Sequence, residues 1–269
     1  MVKKNRQEKG LVIMNRKKLK ADYHRDWLKY LDRSEIRQDR IWFNYLYSEC
    51  KKVINEFLLK RQIPDLNGYF KLNELSFLYI GMYKTIGSDM SKWYVTHFEK
   101  YIDKKNDLQY DLWQEQYAFI GNKIAGERIV SVSGSRKKEF NNILRKQMSN
   151  PEFMSMHEAA AGRILRKKFK GMSVYNAKRI VRTESVNIAN YATNQSAGEI
   201  FGADNLKKEW IATIDARTRD SHLAANGQTA LMNGLFEVGG EKLSHPGDSS
   251  GSAKNVINCR CTSAPLPII

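Results

Sequence analysis

Between residues 208 and 261 the chain sets glycines, turn-forming polar residues and two cysteines in an order that no core-building rule requires. That order limits the fold more than any other feature of the sequence. Residues 210–214 are a short apolar run with Thr213 interleaved, which suits a strand, and Asp215-Ala216-Arg217-Thr218-Arg219 follows as a polar exit. Asn226-Gly227 and Gly239-Gly240 are turn dipeptides that supply the positive φ a chain reversal needs. The segment is expected to be small, turn-rich β structure. In Asn258-Cys259-Arg260-Cys261 an extended backbone would turn both thiols to one face and Arg260 to the other.

Upstream the pattern is helical. Residues 15–61 contain no proline, and apolar residues such as Trp27, Leu31, Trp42, Leu46, Val53 and Phe57 return at helical spacing, so two or more amphipathic helices are expected. Ile63-Pro64-Asp65 with Asn67-Gly68 reads as a first break, and Gly87-Ser88-Asp89 as a second. Residues 131–136 and Ser149-Asn150-Pro151 read as connectors around a short helix, 137–148. A helix-favouring segment runs from Pro151 to Lys170. Gly171 is expected to interrupt it and Ser173 to cap a second helix ending before Gly202. The expected class is α+β: a predominantly helical region, 1–150, then a module, 151–269, of two helices and a β-rich end.

Lysine and arginine number 45 against 29 acidic residues, a net charge of +16, which predicts attraction to polyanions with double-stranded DNA foremost. The densest basic segment is 163–170. On a helix, Arg163, Arg166, Lys167, Lys168 and Lys170 would spread phosphate-reaching side chains over more than one face; a solvated surface is the plainer alternative. Such contacts give non-specific binding rather than sequence recognition. Cys50, Cys259 and Cys261 cannot form a disulfide framework, and a Cys259–Cys261 bond would close a small strained ring, so a reducing compartment is expected. The apolar run at 10–14 is too short for a secretory core or a membrane span. The expected place is the cytoplasm or the inside of a particle, with no membrane partner.

Three kinds of chemistry can be weighed from residue types. His222, Cys259 and Cys261 could hold zinc, with His245 or Asp215 as a further ligand, because zinc takes thiolate and imidazole in tetrahedral geometry. Cys-x-Cys is not the Cys-x-x-Cys knuckle spacing, and a buried thiol pair beside a hydrogen-bonded histidine is the alternative. For catalysis, His222 with Asp215 or Asp220 could act as base and orienter and Cys259 as nucleophile. The chain has no Gly-x-Ser-x-Gly, His-Glu-x-x-His, Walker loop or deaminase pattern. The glycine-rich stretch 246–252 lacks the strand-to-helix setting and closing lysine of a phosphate loop, and reads as an exposed loop in which Asp248 and Ser249 make turn bonds. Glu184 falls within the apolar stripe of Ala177, Ile180, Val181, Ile188 and Ala192, and Arg182 outside it. A buried carboxylate needs a partner, and Arg217 or Arg219 is expected.

Taken in order, Arg182-Thr183-Glu184, Lys208-Glu209-Trp210, Asp215 to Arg219 with His222, Gly227, residues 236–240, Pro246-Gly247-Asp248 and Asn258-Cys259-Arg260-Cys261 resemble the phage Mu F-like minor capsid family. That family is also described as phage head morphogenesis proteins, and the resemblance covers the chain from about Gly171 onward. It implies a non-enzymatic minor head protein of a tailed bacteriophage, acting in procapsid assembly. The implied partners are the portal protein, capsid or scaffold proteins, and packaged DNA whose ejection it would influence. Its implied place is the capsid interior near the portal, and the host cytoplasm during assembly. Trp210, Asp215, Arg217, Arg219, His222, Cys259 and Cys261 would then fix a rigid docking module. Some members carry a cysteine pair where this chain has residues 218–222, and a histidine just before Cys-Arg-Cys; here His245 lies well upstream. Domains of the family also look like packaging modules fused to effectors, so the alternative is a phage-delivered or toxin-associated enzyme using the His/Cys motif. Arg182-Thr183-Glu184 is similar in residue type to the arginine, serine and glutamate of ADP-ribosyltransferases, but those lie on separate strands.

Overall fold

The structure, a computed structural model, describes residues 16–98 and 110–267. It is α+β. Helices α1 (Arg16–Lys60), α2 (Leu72–Phe98), α3 (Tyr110–Met148), α4 (Pro151–Ser155) and α5 (Glu158–Phe201) precede a small antiparallel β region. In that region β1 (Leu206–Ile211), β2 (Thr229–Leu231), β3 (Phe236–Val238), β4 (Glu241–Leu243) and β5 (Thr262–Pro267) are interrupted by the short helices α6 (Asp220–Ala225) and α7 (Ala253–Val256).

The long helices are more continuous than the sequence suggested. Residues 16–60 form one helix rather than two or more, since neither glycine nor proline occurs there. Buried Ser34, Glu35 and Gln38 carry the inward stripe between Leu31 and Trp42. It ends where Arg61 takes a left-handed φ of 53°, shortly before Pro64. Gly87-Ser88-Asp89 is no break but lies inside α2. A Cβ on Gly87 would come within 2.5 Å of the Tyr117 ring, so the glycine serves close packing, and Asp89 accepts from Ser34 Oγ at 3.0 Å. Residues 131–136 are helical rather than a connector. Ile129, Ser133, Arg136, Phe140 and Leu144 are all buried at three- and four-residue spacing, which outweighs the turn-like composition.

Asn150 and Pro151 do mark a helix start: the Asn150 side chain accepts from the Phe153 N–H at 3.2 Å and proline occupies the first turn. The chain breaks again at Met156-His157. From Glu158 a single helix then passes through Gly171, where an added Cβ would meet nothing within 4 Å. Ser173 is not a cap. It is buried and donates to the Phe169 carbonyl at 2.8 Å, four residues back. Gly202, at φ 79°, follows the helix end as expected.

The described residues fall into two compact units. One draws on residues 16–35, 83–98, 110–117 and 182–267, the other on Ile36–Met82 and Ala118–Val181. The second has an aromatic core in which Phe140 stacks on Phe169 at 4.3 Å, Phe70 lies 5.3 Å from Phe140, and Trp42 meets Tyr79 edge-on at 5.1 Å. In the first, β1 is the middle strand of a three-stranded antiparallel sheet, order β2-β1-β5, with Trp210 opposite Ser263. The β3–β4 hairpin turns over Gly239 and Gly240 at φ 59° and 82°, both positive as a type I′ turn demands.

Candidate functional site

Three local devices shape the segment after β1. Asp215 accepts from the Arg217 N–H at 2.8 Å and its own N–H reaches Thr218 Oγ1 at 3.1 Å, making a tight polar turn. The same carboxylate takes a two-pronged bond from Arg260, with Nη2 to Oδ1 at 2.7 Å, which fastens the turn to the segment before β5. That pairing holds the Asp215 carboxyl well below the usual range. Arg219 donates to the Ile257 carbonyl beside it, and Arg217 reaches back towards Asp215 at 3.6 Å.

At the far end of α6 the chain is tied back to β1. Gly227, at φ 84°, donates to the Trp210 carbonyl at 2.8 Å, and Asn226 Oδ1 accepts from the Ala212 N–H at 2.9 Å. Held at both ends, α6 turns His222 inward. Its ring meets Trp210 edge-on at 5.6 Å, and Trp210 meets Phe236 in the same manner at 5.4 Å. Asn258 takes a left-handed φ of 56° and gives its N–H to Thr183 Oγ1 at 3.1 Å, reversing the chain after α7.

Cys259 and Cys261 then face His222. Residues 259–261 belong to no strand, since β5 begins at Thr262, yet both thiols point the same way. His222 Nδ1 lies 3.3 Å from Cys261 Sγ and 3.8 Å from Cys259 Sγ, and all three side chains are buried. Their ligand atoms lie within 4.8 Å of one another. The Cys259 thiol, donating to Cys261 and buried, is pushed up; Cys261, receiving that bond and next to His222, is pulled down. Neither further ligand expected from the sequence joins them. Asp215 is bound to Arg260, and His245 sits against Tyr191 with Nδ1 3.1 Å from the Pro246 oxygen.

Glu184 is buried but its partner is not Arg217 or Arg219. Tyr83 donates to it at 2.7 Å, and Arg182, on the outer side of α5, pairs with Asp32 at 2.9 Å and Glu35 at 2.6 Å. Arg217 is drawn instead to Asp215 in the polar turn, and Arg219 to the Ile257 carbonyl. The stretch 246–252 is a loop. Asp248 accepts from Ser244 N–H at 2.7 Å and Ser250 N–H at 2.9 Å, and Gly247, at φ 80°, would bring a Cβ to 3.0 Å from the Asn187 nitrogen. Of the basic set on α5, Arg163, Lys167, Lys168 and Lys170 are exposed and Arg166 half-buried, and none forms an ion pair among the described residues.

Two residues to which sequence reasoning gave no role hold the module together. Asn190 is fully buried and bonds five neighbours on three segments: its amide N–H group reaches the carbonyls of Val186 (2.9 Å), Pro246 (3.1 Å) and Cys261 (3.2 Å). Its Oδ1 accepts from Thr262 Oγ1 at 2.9 Å and Ser263 N–H at 2.8 Å. The available signal was Asn187, Asn190, Thr193 and Asn194, polar residues at three- and four-residue spacing inside an otherwise apolar face. Lys208 is the other. Buried on β1, it donates to the Ser244 carbonyl at 2.7 Å and lies over the Phe236 ring.

Burial pushes the Lys208 ammonium down to about 8, with Asp248 opposing. Between about 8 and the ordinary value near 10.5 the unfolded chain holds a proton that the folded chain has lost, so stability rises with pH across that window. Denaturant unfolding at about pH 8 and about pH 10 should show this rise, and Lys208→Met should remove it. The same slope in both proteins would assign the effect to another group.

Residues 131–264 match the protein family described as Phage Mu protein F like protein. An NAD(+)–arginine ADP-ribosyltransferase of Enterococcus faecalis is 34% identical over 91 residues, which is 34% of this chain and 18% of that protein. The chain thus spans under a fifth of the length of the curated relative it matches. No solved structure matches the chain. No helix among the described residues is long and apolar enough to cross a membrane.

Proposed function

Because the chain belongs, through residues 131–264, to the Phage Mu protein F like family of phage head morphogenesis proteins, we propose that it is a minor head protein of a tailed phage. It acts during procapsid assembly at the portal, inside the capsid, and touches packaged DNA in a way that influences ejection. The family match carries this reading. The module from about residue 151 onward is the rigid docking part, for which the Asp215–Arg260 pair and the Asn190 bonds supply stiffness. Arg163, Arg166, Lys167, Lys168 and Lys170 meet DNA phosphates; their lack of acidic partners among the described residues and the net charge of +16 support this. The reading assigns the chain no reaction.

A second reading, an enzyme of effector type, is favoured by the likeness to the Enterococcus faecalis transferase. Against it, the shared 91 residues are less than a fifth of that protein. Here Arg182 and Glu184 also lie on one helix, engaged by Asp32, Glu35 and Tyr83.

Quantitative mass spectrometry of particles from a phage encoding this chain separates the two. Low-copy presence in DNA-free procapsids and in filled virions is expected, with loss after triggered ejection if the protein leaves with the genome. Absence from every particle would remove the head-protein reading and bring the enzyme forward.

A further inference from the structure

We propose that His222, Cys259 and Cys261 bind a single zinc ion that pins α6 to the segment before β5. Zinc bonds of about 2.3 Å to sulfur and about 2.0 Å to nitrogen, opened at the tetrahedral angle, set neighbouring ligand atoms roughly 3.5–3.8 Å apart. The observed separations of 3.3 and 3.8 Å from Nδ1 to the two sulfurs lie on either side of the nitrogen-to-sulfur edge of about 3.5 Å. Ligand types agree as well, since paired thiolates with an imidazole select a soft, tetrahedral ion over magnesium or calcium.

His222 is 2% exposed and its Nε2 makes no hydrogen bond among the described residues, so the ring is not held by a network of its own. Trp210, edge-on at 5.6 Å, fixes the plane of the ring and turns Nδ1 to the sulfurs. The ligands are brought together by features that do not depend on the ion: the Asn226-Gly227 tie to β1, the Asp215–Arg260 pair and the left-handed Asn258. A site prepared in this manner loses little entropy on binding. Three protein ligands leave a fourth position for water. On binding, the thiols of Cys259 and Cys261 release their two protons to solvent and no electrons move.

The test uses the full chain, reduced and without a histidine tag. Elemental analysis after gel filtration should find about one zinc per chain. Cobalt(II) in place of zinc should give thiolate-to-metal charge-transfer absorption together with tetrahedral d–d bands. The Cys259→Ser/Cys261→Ser pair should lose both signals, and His222→Ala should shift the d–d bands or lose the metal. A folded chain that takes up neither ion, or uptake indifferent to loss of both cysteines, would overturn the site. Should the cysteine variant fail to fold, the cobalt spectrum of the unaltered chain decides, because only thiolate ligation gives the charge-transfer band. This outcome is independent of where the protein sits in the phage particle.

Discussion

Replacing Asn190 with alanine is expected to lower stability by roughly 4 kcal/mol, because several buried polar groups lose their partner at about 1–3 kcal/mol each. The residue is fully buried, and it joins α5 at once to the Pro246 loop, to Cys261 and to the start of β5. A loss of that size is a large part of the roughly 5–15 kcal/mol that holds a domain folded. It should lower Tm on the order of 10 °C. Asn190→Asp is no rescue: it keeps the acceptor for Ser263 but sets a carboxylate oxygen against the Pro246 and Cys261 carbonyls. Asn194→Ala provides the comparison, since Asn194 is half-buried and its side chain bonds the Ser263 hydroxyl, and should cost about 1 kcal/mol. Thermal unfolding followed by near-ultraviolet circular dichroism reports on the packing around Trp210. Equal losses in the two variants would show that Asn190 is no special tie.

The second large effect concerns DNA. Exchanging Arg163, Arg166, Lys167, Lys168 and Lys170 together for glutamine should flatten the plot of log affinity against log salt by about 4.5, from about 0.9 for each phosphate no longer neutralised. Between about 50 and about 200 mM salt the unaltered chain would then weaken several-hundred-fold more than the variant. Basic residues elsewhere give a control. Lys52 and Lys60 are engaged with Glu49 and Glu56, so Lys52→Gln with Lys60→Gln should change the slope little. Fluorescence anisotropy with a duplex of arbitrary sequence makes the comparison. Parallel slopes for the unaltered chain and the five-residue variant would sink the assignment, and leave the face to an acidic protein surface instead.

What could be read from the sequence is what depends on the backbone nearby. The breaks at Pro64 and Asn150-Pro151, the helix stop at Gly202, and the turns at Gly227 and Gly239-Gly240 are all where residue type placed them. Each is decided within a few residues, by proline geometry, a cap or a positive φ. The same reasoning placed breaks at Gly87, at residues 131–136 and at Gly171, all of which lie inside helices. Helix propensity costs about 1 kcal/mol for such a glycine, and burial of the flanking stripe outweighs it. At Gly87 the missing Cβ is what admits the Tyr117 ring.

The candidate site divides along the same line. Residue chemistry and order marked His222, Cys259 and Cys261 as possible ligands and ruled out several catalytic motifs. Whether imidazole and thiols would meet, and that Asp215 and His245 would turn elsewhere, depended on contacts across the fold. Tyr83 as the partner of Glu184, 101 positions away, and Asn190 as the tie to β5 are of the same kind. Sequence by itself determined the local turns, the charge and the order of the family's blocks. Tertiary structure decided helix continuity, the partners of buried polar groups and the convergence of the three ligands, because a buried group's energy depends on whatever the whole fold places beside it.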